Sequence, residues 1–480
     1  WSALGPTGQP AGQLNGATAP RATLTPDAAG DWTIELTVDD GDVSRTARVV
    51  VVVHRATIVP DDQPDVQRAV DRVAAGGVVA VRPGTWDAGL GVIDKSVTIL
   101  GLGRPEQVVL DGGGLPVIEA RDTTPMTADP DPDPHALGLY QVTLRGGHGL
   151  SGGGLSCARV AVDVGEVIVE DNTADCHGGG LMLDVCDLTG RDLWVRDNRV
   201  LGGADPATCA FVCDGSFATD DDREGTGGGL AAACATIDLD RAWFLHNEAD
   251  TVGGGVRYGN HDNKHALTLT NAVFQGNASG GSGMALWYRG TGITSWPSRL
   301  EHVVFADHHG DTPMVFSGSG LVLLSTTLIA HNDASILLDN RSPNFNLLYL
   351  ASWDNTGDLT FRSGDAPATV LEGDPRALAW TDDGDADDDV WTLRPGSPLL
   401  DAGFADRRDP DGTRESVGLG GPSADAIWAS DAYDADGDGM SDGWERRFGL
   451  DPTRDDGALD LDHDGASNRA EYQAGTLPDR

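Results

Sequence analysis

The sequence predicts an all-β protein built around a parallel β-helix, and three observations predict it. Glycine accounts for 65 of the 480 residues, whereas aromatic residues make up 6%. No collagen-like period explains the glycine, so a turn-rich β architecture is expected. A short apolar segment ending in Asn or His also recurs through the centre, and glycine triplets follow several of its copies. The copies end at Asn172, Asn198, Asn247, Asn277, His308 and Asn332.

The charge of the chain argues against two classes of partner. Its 33 Lys and Arg residues stand against 75 Asp and Glu residues, a formal net charge of −42. Nucleic acid is not expected as a partner, because phosphate binding needs a basic surface. Docking on anionic lipid is disfavoured for the same reason. No apolar run approaches the ~18 residues of a membrane-spanning helix.

Residues 1–54 are predicted to form a small β module. Thr33–Val38 alternates with period two, residues 39–42 make a turn, and Ala47–Val53 is the return strand. The module resembles the second half of an immunoglobulin-like domain of bacterial surface proteins. We expect it to be a spacer that continues upstream, with any secretion signal already removed. The resemblance rests on Trp1, Ser2, Thr25, Pro26, Asp27, Gly30, Trp32 and the closing Val38, Asp39, Asp40 and Gly41.

A cap helix is predicted over residues 64–75. Val66, Ala69, Val70 and Val73 fall at helical spacing with polar residues between them, and two glycines follow. Short strands are predicted next, at 78–81, 96–100 and 108–110. Because open strand edges invite aggregation, the helix is expected to cover the first coil with its valines facing inward.

The repeat predicts the arrangement within the coils, from about residue 78 to 420. One apolar residue per copy is expected to stack in a single interior row. The Asn residues are expected to occupy a left-handed conformation and to bond to the equivalent Asn one coil away. Residues 199–226 are predicted to be an insertion, and His308 makes its coil less regular. The predicted interior row is Val169, Val195, Phe244, Phe274, Phe305 and Ile329.

This pattern resembles the right-handed parallel β-helix of the pectin-lyase-like superfamily. Its Phe-x-x-Asn and Gly-Gly-Gly-Leu elements are most similar to repeats of polymorphic outer membrane proteins and related bacterial surface proteins. The resemblance places the β-helix domain at residues 55–425. Residues 391–403 and 409–412 resemble the closing coil of secreted bacterial β-helix proteins.

Six cysteines lie between Cys157 and Cys234. An even number in so short a stretch predicts three disulfides and an oxidising compartment, with the bridges tying the insertion to the coils. Six cysteines allow 15 pairings, and spacing does not choose among them. A metal site using Cys209 and Cys213 is the less favoured alternative, because no second ligand pair completes a zinc set.

Two calcium loops are predicted in residues 430–480. Each has oxygen ligands at positions 1, 3, 5, 9 and 12, glycine at position 6, and a carbonyl at position 7. We expect the second loop to bind more weakly, because it carries neutral Asn468 at position 9. The ligands are Asp434, Asp436, Asp438, the Met440 carbonyl, Asp442 and Glu445 in the first loop. In the second they are Asp460, Asp462, Asp464, the Ala466 carbonyl, Asn468 and Glu471.

The loops resemble EF-hand loops, but no helix of that type enters the first one. They are more similar to dockerins and to the type 3 calcium repeats of thrombospondin-like bacterial proteins. A dockerin would imply a cohesin partner, but such loops also serve as rigid calcium-filled spacers, which we favour. An acidic solvated tail is the alternative without a metal.

One polar cluster offers candidate catalytic residues: Arg257, His261, Asp262 and Lys264. Resemblance to lyases of this fold implies that Lys or Arg abstracts the proton alpha to a uronate, which would fall to Arg257 or Lys264. A polar loop between two coils is the favoured alternative. Motifs of serine hydrolases and zinc proteases are absent from the sequence.

The sequence leaves two functions open. The favoured one is an extracellular or cell-surface bacterial protein, structural or adhesive, whose partners are carbohydrate, other surface proteins or further copies of itself. The alternative is a polysaccharide lyase or glycoside hydrolase acting on an acidic polysaccharide. The net charge disfavours that alternative, because it repels a polyanion.

Overall fold

The architecture was determined as a computed structural model. None of the helices in the described part of the chain has the length and apolar character needed to cross a membrane. The structure describes residues 2–4, 13–15, 18, 23–25, 30–39, 44–53, 56–124, 134–203, 209, 225–260, 265–290, 298–317, 322–340, 346–356, 358–361, 370–379, 389–393, 396–409, 413–419, 438–440, 450, 454–461 and 465–474.

The N-terminal residues contain the predicted hairpin. Gly30–Asp39 pairs antiparallel with Ser44–Val53, and Ser2–Leu4 adds to the other edge of the first strand. A second antiparallel pair joins Gln13–Asn15 to Thr23–Thr25. The hairpin is therefore confirmed, and the likeness to an immunoglobulin-like half-domain stays a prediction.

Three parallel sheets run along one stack of coils and define a parallel β-helix, as the sequence predicts. The chain passes from sheet to sheet and returns to the same sheet after one full coil. Strands far apart in sequence therefore pair in register. Ala161–Glu170, for example, lies between Ala136–Arg145 and Leu188–Arg196. Twelve described strands follow the main path of the largest sheet. At ~4.8 Å per coil their stack is roughly 50 Å long.

The largest sheet, called here the first face, has fourteen strands. They are Ala56–Val59, Gly77–Val81, Val97–Gly101, Ala136–Arg145, Ala161–Glu170, Leu188–Arg196, Ile237–Leu245, Leu267–Gln275, Ser298–Ala306, Val322–Ala330, Asn346–Trp353 and Val370–Glu372, with Gly84–Asp87 and Val108–Asp111 beside the main path. The helix Pro105–Gln107 is a short 3₁₀ turn.

In the described part of the chain, the second face has ten strands and the third has five. The second face comprises Leu90–Ile93, Ile118–Arg121, Leu155–Ala158, Leu181–Asp184, Leu230–Ala233, Val256–Asn260, Leu286–Gly290, His309–Ser317, Asp333–Asn340 and Asp358–Phe361. The third comprises His148–Ser151, Thr173–His177, Arg199–Val200, Glu248–Ala249 and Ala278–Ser279.

The interior row of the repeat is confirmed. All six predicted residues are at most 2% exposed, and each pairs with its equivalent in the next coil. The rings of Phe244, Phe274 and Phe305 stack at centroid distances of 4.9 and 5.1 Å. Such stacking adds to the free energy gained by burying each ring.

The Asn residues form a hydrogen-bonded ladder on one corner of the coils. Asn172 donates from Nδ2 to Oδ1 of Asn198, and Asn198 donates in the same way to Asn247, at 3.0 Å each. Asn247 and Asn277 repeat this bond, and Asn332 donates to Asn355, which was not among the predicted copies of the repeat. Each side chain also bonds the backbone of neighbouring coils, so the ladder joins the coils along the stack.

The prediction that these Asn residues are left-handed is wrong, because the residue before each of them adopts that conformation instead. The residue before each ladder position has φ between 49° and 61°, whether it is Asp, His or Gly. The Asn itself is free to point inward because its predecessor makes the turn. The left-handed residues are Asp171, Asp197, His246, Gly276, Asp307, His331 and Asp354.

His308 replaces Asn in the ladder without breaking it. Its Nδ1 lies 3.1 Å from Oδ1 of Asn332, and its Nε2 lies 3.4 Å from Nδ2 of Asn277. A neutral ring with the proton on Nδ1 satisfies both contacts, since Asn332 accepts and Asn277 donates. Burial disfavours the charged ring and lowers the pKa of His308 to about 3.

The cap helix covers the first coil as predicted, although it spans Val66–Arg72 and not residues 64–75. Asp65 caps its N-terminus by accepting the N–H of Arg68 at 2.8 Å. Val66, Val70 and Val73 are buried in the same core as the first strands. An extended conformation at Val73 ends the helix.

The parallel coils end earlier than predicted, at Val370–Glu372. Ala377–Ala379 and Val390–Leu393 then pair antiparallel. Residues 389–393, 396–409 and 413–419, called here the covering segment, pack along the outside of the first face. The outward residues there are apolar, and the described part of the segment buries them from the side. The apolar layer between the covering segment and the first face contains Val273, Val304, Leu328, Trp391, Leu399, Val417 and Leu419.

Disulfides join neighbouring coils and hold the insertion. Cys157 bonds to Cys186 between adjacent coils, so this bridge exists as predicted but does not hold the insertion. Cys176 bonds to Cys209, so one point of the predicted insertion is tied to a coil as expected. Cys234 is disulfide-bonded as well, and Cys213 lies outside the described residues. The Cys209 bridge disfavours the alternative metal site.

Candidate functional site

The second predicted calcium loop ends on a helix, as its sequence requires. Gly465 has a φ of 100°, a conformation that glycine adopts without strain, and it occupies the position predicted for the sharp turn. Its N–H donates to Oδ2 of Asp460 at 3.0 Å. The helix Asn468–Ala474 then places Asn468 and Glu471 one turn apart, and both are buried. Asp462 and Asp464 lie outside the described residues.

Asn468 has a structural role beside any role as a ligand. Its Oδ1 accepts the N–H of Leu461 at 3.1 Å, and its Nδ2 donates to the Asp456 carbonyl at 3.0 Å. These bonds fix the loop against the helix. Because its amide oxygen is neutral, this residue is a weaker candidate ligand than a carboxylate.

The first loop is described at Asp438, Gly439 and Met440. Gly439 has a φ of 90°, matching its equivalent in the second loop. Asp438 is buried and accepts N–H groups from Met440 at 3.0 Å and from Asp456 at 3.2 Å. Its carbonyl accepts Nη1 of Arg469 at 3.0 Å, so the two loops contact each other. Asp434, Asp436, Asp442 and Glu445 lie outside the described residues.

The described donors suit calcium chemically. Calcium prefers six to eight hard oxygen ligands. The side chains of Asp438, Asp460 and Glu471 supply carboxylates, and Met440 and Ala466 supply carbonyls at position 7 of their loops. Both position-6 glycines have the backbone that the loop needs, so these residues fit a calcium site.

Of the candidate catalytic residues, the structure describes Arg257. Arg257 is fully buried, donates from Nη1 to the Ala232 carbonyl at 3.0 Å, and lies over the ring of Trp287 at 5.4 Å. A guanidinium in this position supports the second face and does not meet solvent. His261, Asp262 and Lys264 lie outside the described residues.

Polar groups beneath the covering segment were not predicted from the sequence. Gln275 donates to Asp307 at 2.6 Å and also to Asp389, and it accepts Nε1 of Trp391 at 2.9 Å. Nε2 of His302 lies 3.2 Å from Oε1 of Glu415 in the same layer. The available signal was continuous apolar sequence in the strands, such as Val303–Ala306, which is typical of strands covered on both sides.

Comparison with known proteins finds distant structural matches. No protein-family model matches the chain, and no curated protein matches it. Among solved structures, ORF18 of Geobacillus virus E2 is 12% identical, with a TM-score of 0.32 over 68% of this chain and 69% of that one. The family 28 exopolygalacturonase of Yersinia enterocolitica is 10% identical, with a TM-score of 0.31 over 73% and 85%.

A pectin methylesterase structure is 9% identical, with a TM-score of 0.25 over 64% of this chain and 81% of that one. Scores and identities this low carry no argument about activity. The architecture therefore follows from strand order and register: the chain is a parallel β-helix with a side-packed covering segment.

Proposed function

We propose that the protein is an extracellular structural or adhesive protein of a bacterial cell surface. Its β-helix serves as a stiff display rod, and calcium rigidifies the C-terminal loops. The proposed partners are carbohydrate or other surface proteins, which bind along the sides of the rod.

The observation that carries this proposal is the Asn ladder. From Asn172 to Asn355 its side chains are buried or half-buried and bond both to one another and to the backbone of adjacent coils. A buried polar network with its partners satisfied rigidifies the structure around it. The polar side chains of the coil interior thus hold the coils together, as a rod requires.

The placement of Arg257 favours this function over a lyase. A catalytic base must lie within hydrogen-bond reach of the substrate proton, and the Arg257 guanidinium is enclosed between Ala232 and Trp287. The formal net charge of −42 also repels polyanionic substrates. Two described disulfides suit an oxidising compartment.

Calcium would act on the C-terminal loops. Each loop gathers several carboxylates, whose mutual repulsion opposes folding without a cation. Binding therefore couples to ordering of this region. The left-handed glycines and the buried Glu471 support this role.

Two assays on the intact chain test the proposal. Incubation with polygalacturonate or alginate in millimolar calcium should give no absorbance from unsaturated products. Limited proteolysis should cut within residues 430–480 in chelator and spare them in calcium, whereas the coils resist cleavage in both. Turnover that is lost in Lys264→Ala would replace the proposal with a lyase. Cleavage of the tail at equal rates with and without calcium would remove the role of the ion.

A further inference from the structure

Two aspartates occupy equivalent corners of adjacent coils near the cap helix. Asp94 follows the strand Leu90–Ile93, and Asp122 follows Ile118–Arg121, whose last residue pairs with Ile93. The N–H of Asp94 donates to the Arg121 carbonyl at 2.9 Å, which continues this register to the corner. Like charges directly opposite each other destabilise a pair of strands. The arrangement therefore needs a compensating positive charge.

The arginine of the next coil does not supply that charge to the carboxylates. Arg159 occupies the same corner in the next coil, but its guanidinium donates to the backbone carbonyls of Asp122 and Thr124. Thr123 donates its N–H and hydroxyl to Asp94, both at 2.5 Å. Both bonds favour the ionised form of the Asp94 carboxylate.

Asp122 directs one carboxylate oxygen into this corner. Its side chain is 5% exposed, and Oδ1 accepts the N–H and hydroxyl of Thr124 at 2.8 and 2.6 Å. Oδ2 has no hydrogen-bond donor among the residues that the structure describes. It faces Nε2 of His135 at 4.0 Å, too far for a hydrogen bond. The ring nitrogens of His135 likewise bond to no side chain or carbonyl in that part of the chain.

We propose that Asp94, Asp122 and His135 bind a divalent first-row transition-metal ion, such as zinc or manganese. One ligand atom from each residue lies within 4.8 Å of the other two. Ligands at about 2.0–2.2 Å from a shared ion stand up to roughly 4.4 Å apart, so the 4.0 Å separation suits a bridging cation.

The donor set selects the class of ion. An imidazole nitrogen favours zinc, manganese or related ions over calcium, which prefers oxygen alone. Three protein ligands leave at least one position for water or a ligand from solution. The ion neutralises the stacked aspartates and joins the first two coils to the segment that enters Ala136–Arg145.

Zinc titration of the full chain tests this site. With calcium present to saturate the C-terminal loops, calorimetry should find one zinc equivalent that Asp122→Asn and His135→Ala weaken at least tenfold. His148→Ala is the matched control: its Nε2 lies 3.6 Å from Asp175, and it stands outside the cluster. This control should bind zinc like the wild type.

Cobalt gives a second readout of the ligands. Wild-type protein loaded with Co²⁺ should show visible absorption bands that change in His135→Ala while circular dichroism stays the same. Asp94→Asn, at an exposed position, keeps the test decisive if the Asp122 variant does not fold. Wild-type protein that takes up neither zinc, manganese nor cobalt overturns the proposal. Variants that still bind one full equivalent of metal also overturn it.

Discussion

The imidazole of His302 lies against the carboxylate of Glu415, with 3.2 Å between Nε2 and Oε1, although the two residues are 113 positions apart. Both side chains are almost fully buried. Nδ1 of His302 lies 3.0 Å from the Gly418 carbonyl, and Oε2 of Glu415 accepts the N–H of Phe404 at 3.0 Å. This polar pair holds the covering segment against the first face.

Glu415→Ala should lower the free energy of unfolding by about 3 kcal/mol, because it leaves a buried His302 without its partner. Urea unfolding measures this difference. Glu106→Ala, at an exposed position in the 3₁₀ turn, should change it by less than about 0.5 kcal/mol. Equal effects of the two changes would show that the pair does not hold the segment.

His308→Asn should reduce the acid sensitivity of the fold. The pKa of His308 falls from 6.5 to about 3 in the folded chain, so the unfolded chain binds its proton first as the pH drops. Stability is therefore lost between those two values, by up to roughly 1.4 kcal/mol per pH unit. Unfolding measured at pH 6, 5 and 4 should show a shallower loss in the variant. Parallel losses in the two proteins would refute the neutral buried histidine.

Asn247→Ala should destabilise the coils by about 3 kcal/mol. It removes the bond to Asn277 and leaves the buried N–H of Asn198 and the carbonyl of Val195 without partners. Thermal or urea unfolding measures the loss. The neighbouring exposed change Glu248→Ala is the control and should be nearly neutral. A loss below about 1 kcal/mol in Asn247→Ala would mean that water satisfies the ladder.

All six cysteines should be oxidised. Cys157, Cys176, Cys186, Cys209 and Cys234 are disulfide-bonded in the structure. Thiol titration of the unfolded, unreduced protein should therefore find no free thiol. Two or more free thiols would reject the three-bridge prediction.

The sequence predicted the repeat well because one coil repeats one local pattern. The inward Phe274 and the ladder residue Asn277 follow from that pattern alone. The covering segment could not be predicted from the repeat, because its contacts with Val304 and Leu328 are non-local and leave no period in the sequence. Asp94, Asp122 and His135 were missed for the same reason: only the coil register brings them to one corner.

Residue conformation was predicted less well than residue position. Asn was expected to be the left-handed residue, and the preceding Asp or His took that role. Both Asn and Asp tolerate this conformation, so composition alone does not decide which of two adjacent polar residues adopts it. Arg257 shows the same limit, since a charged cluster in sequence does not reveal whether its arginine faces solvent.

Calcium calorimetry on the full chain tests the account most directly. Wild-type protein should bind two ions in the range of about 10⁻⁴–10⁻³ M expected of extracellular modules. Glu445→Gln and Glu471→Gln should each remove one ion, with the second loop the weaker of the two. Binding of two ions by both variants, or no uptake by the wild type at millimolar calcium, would contradict the account.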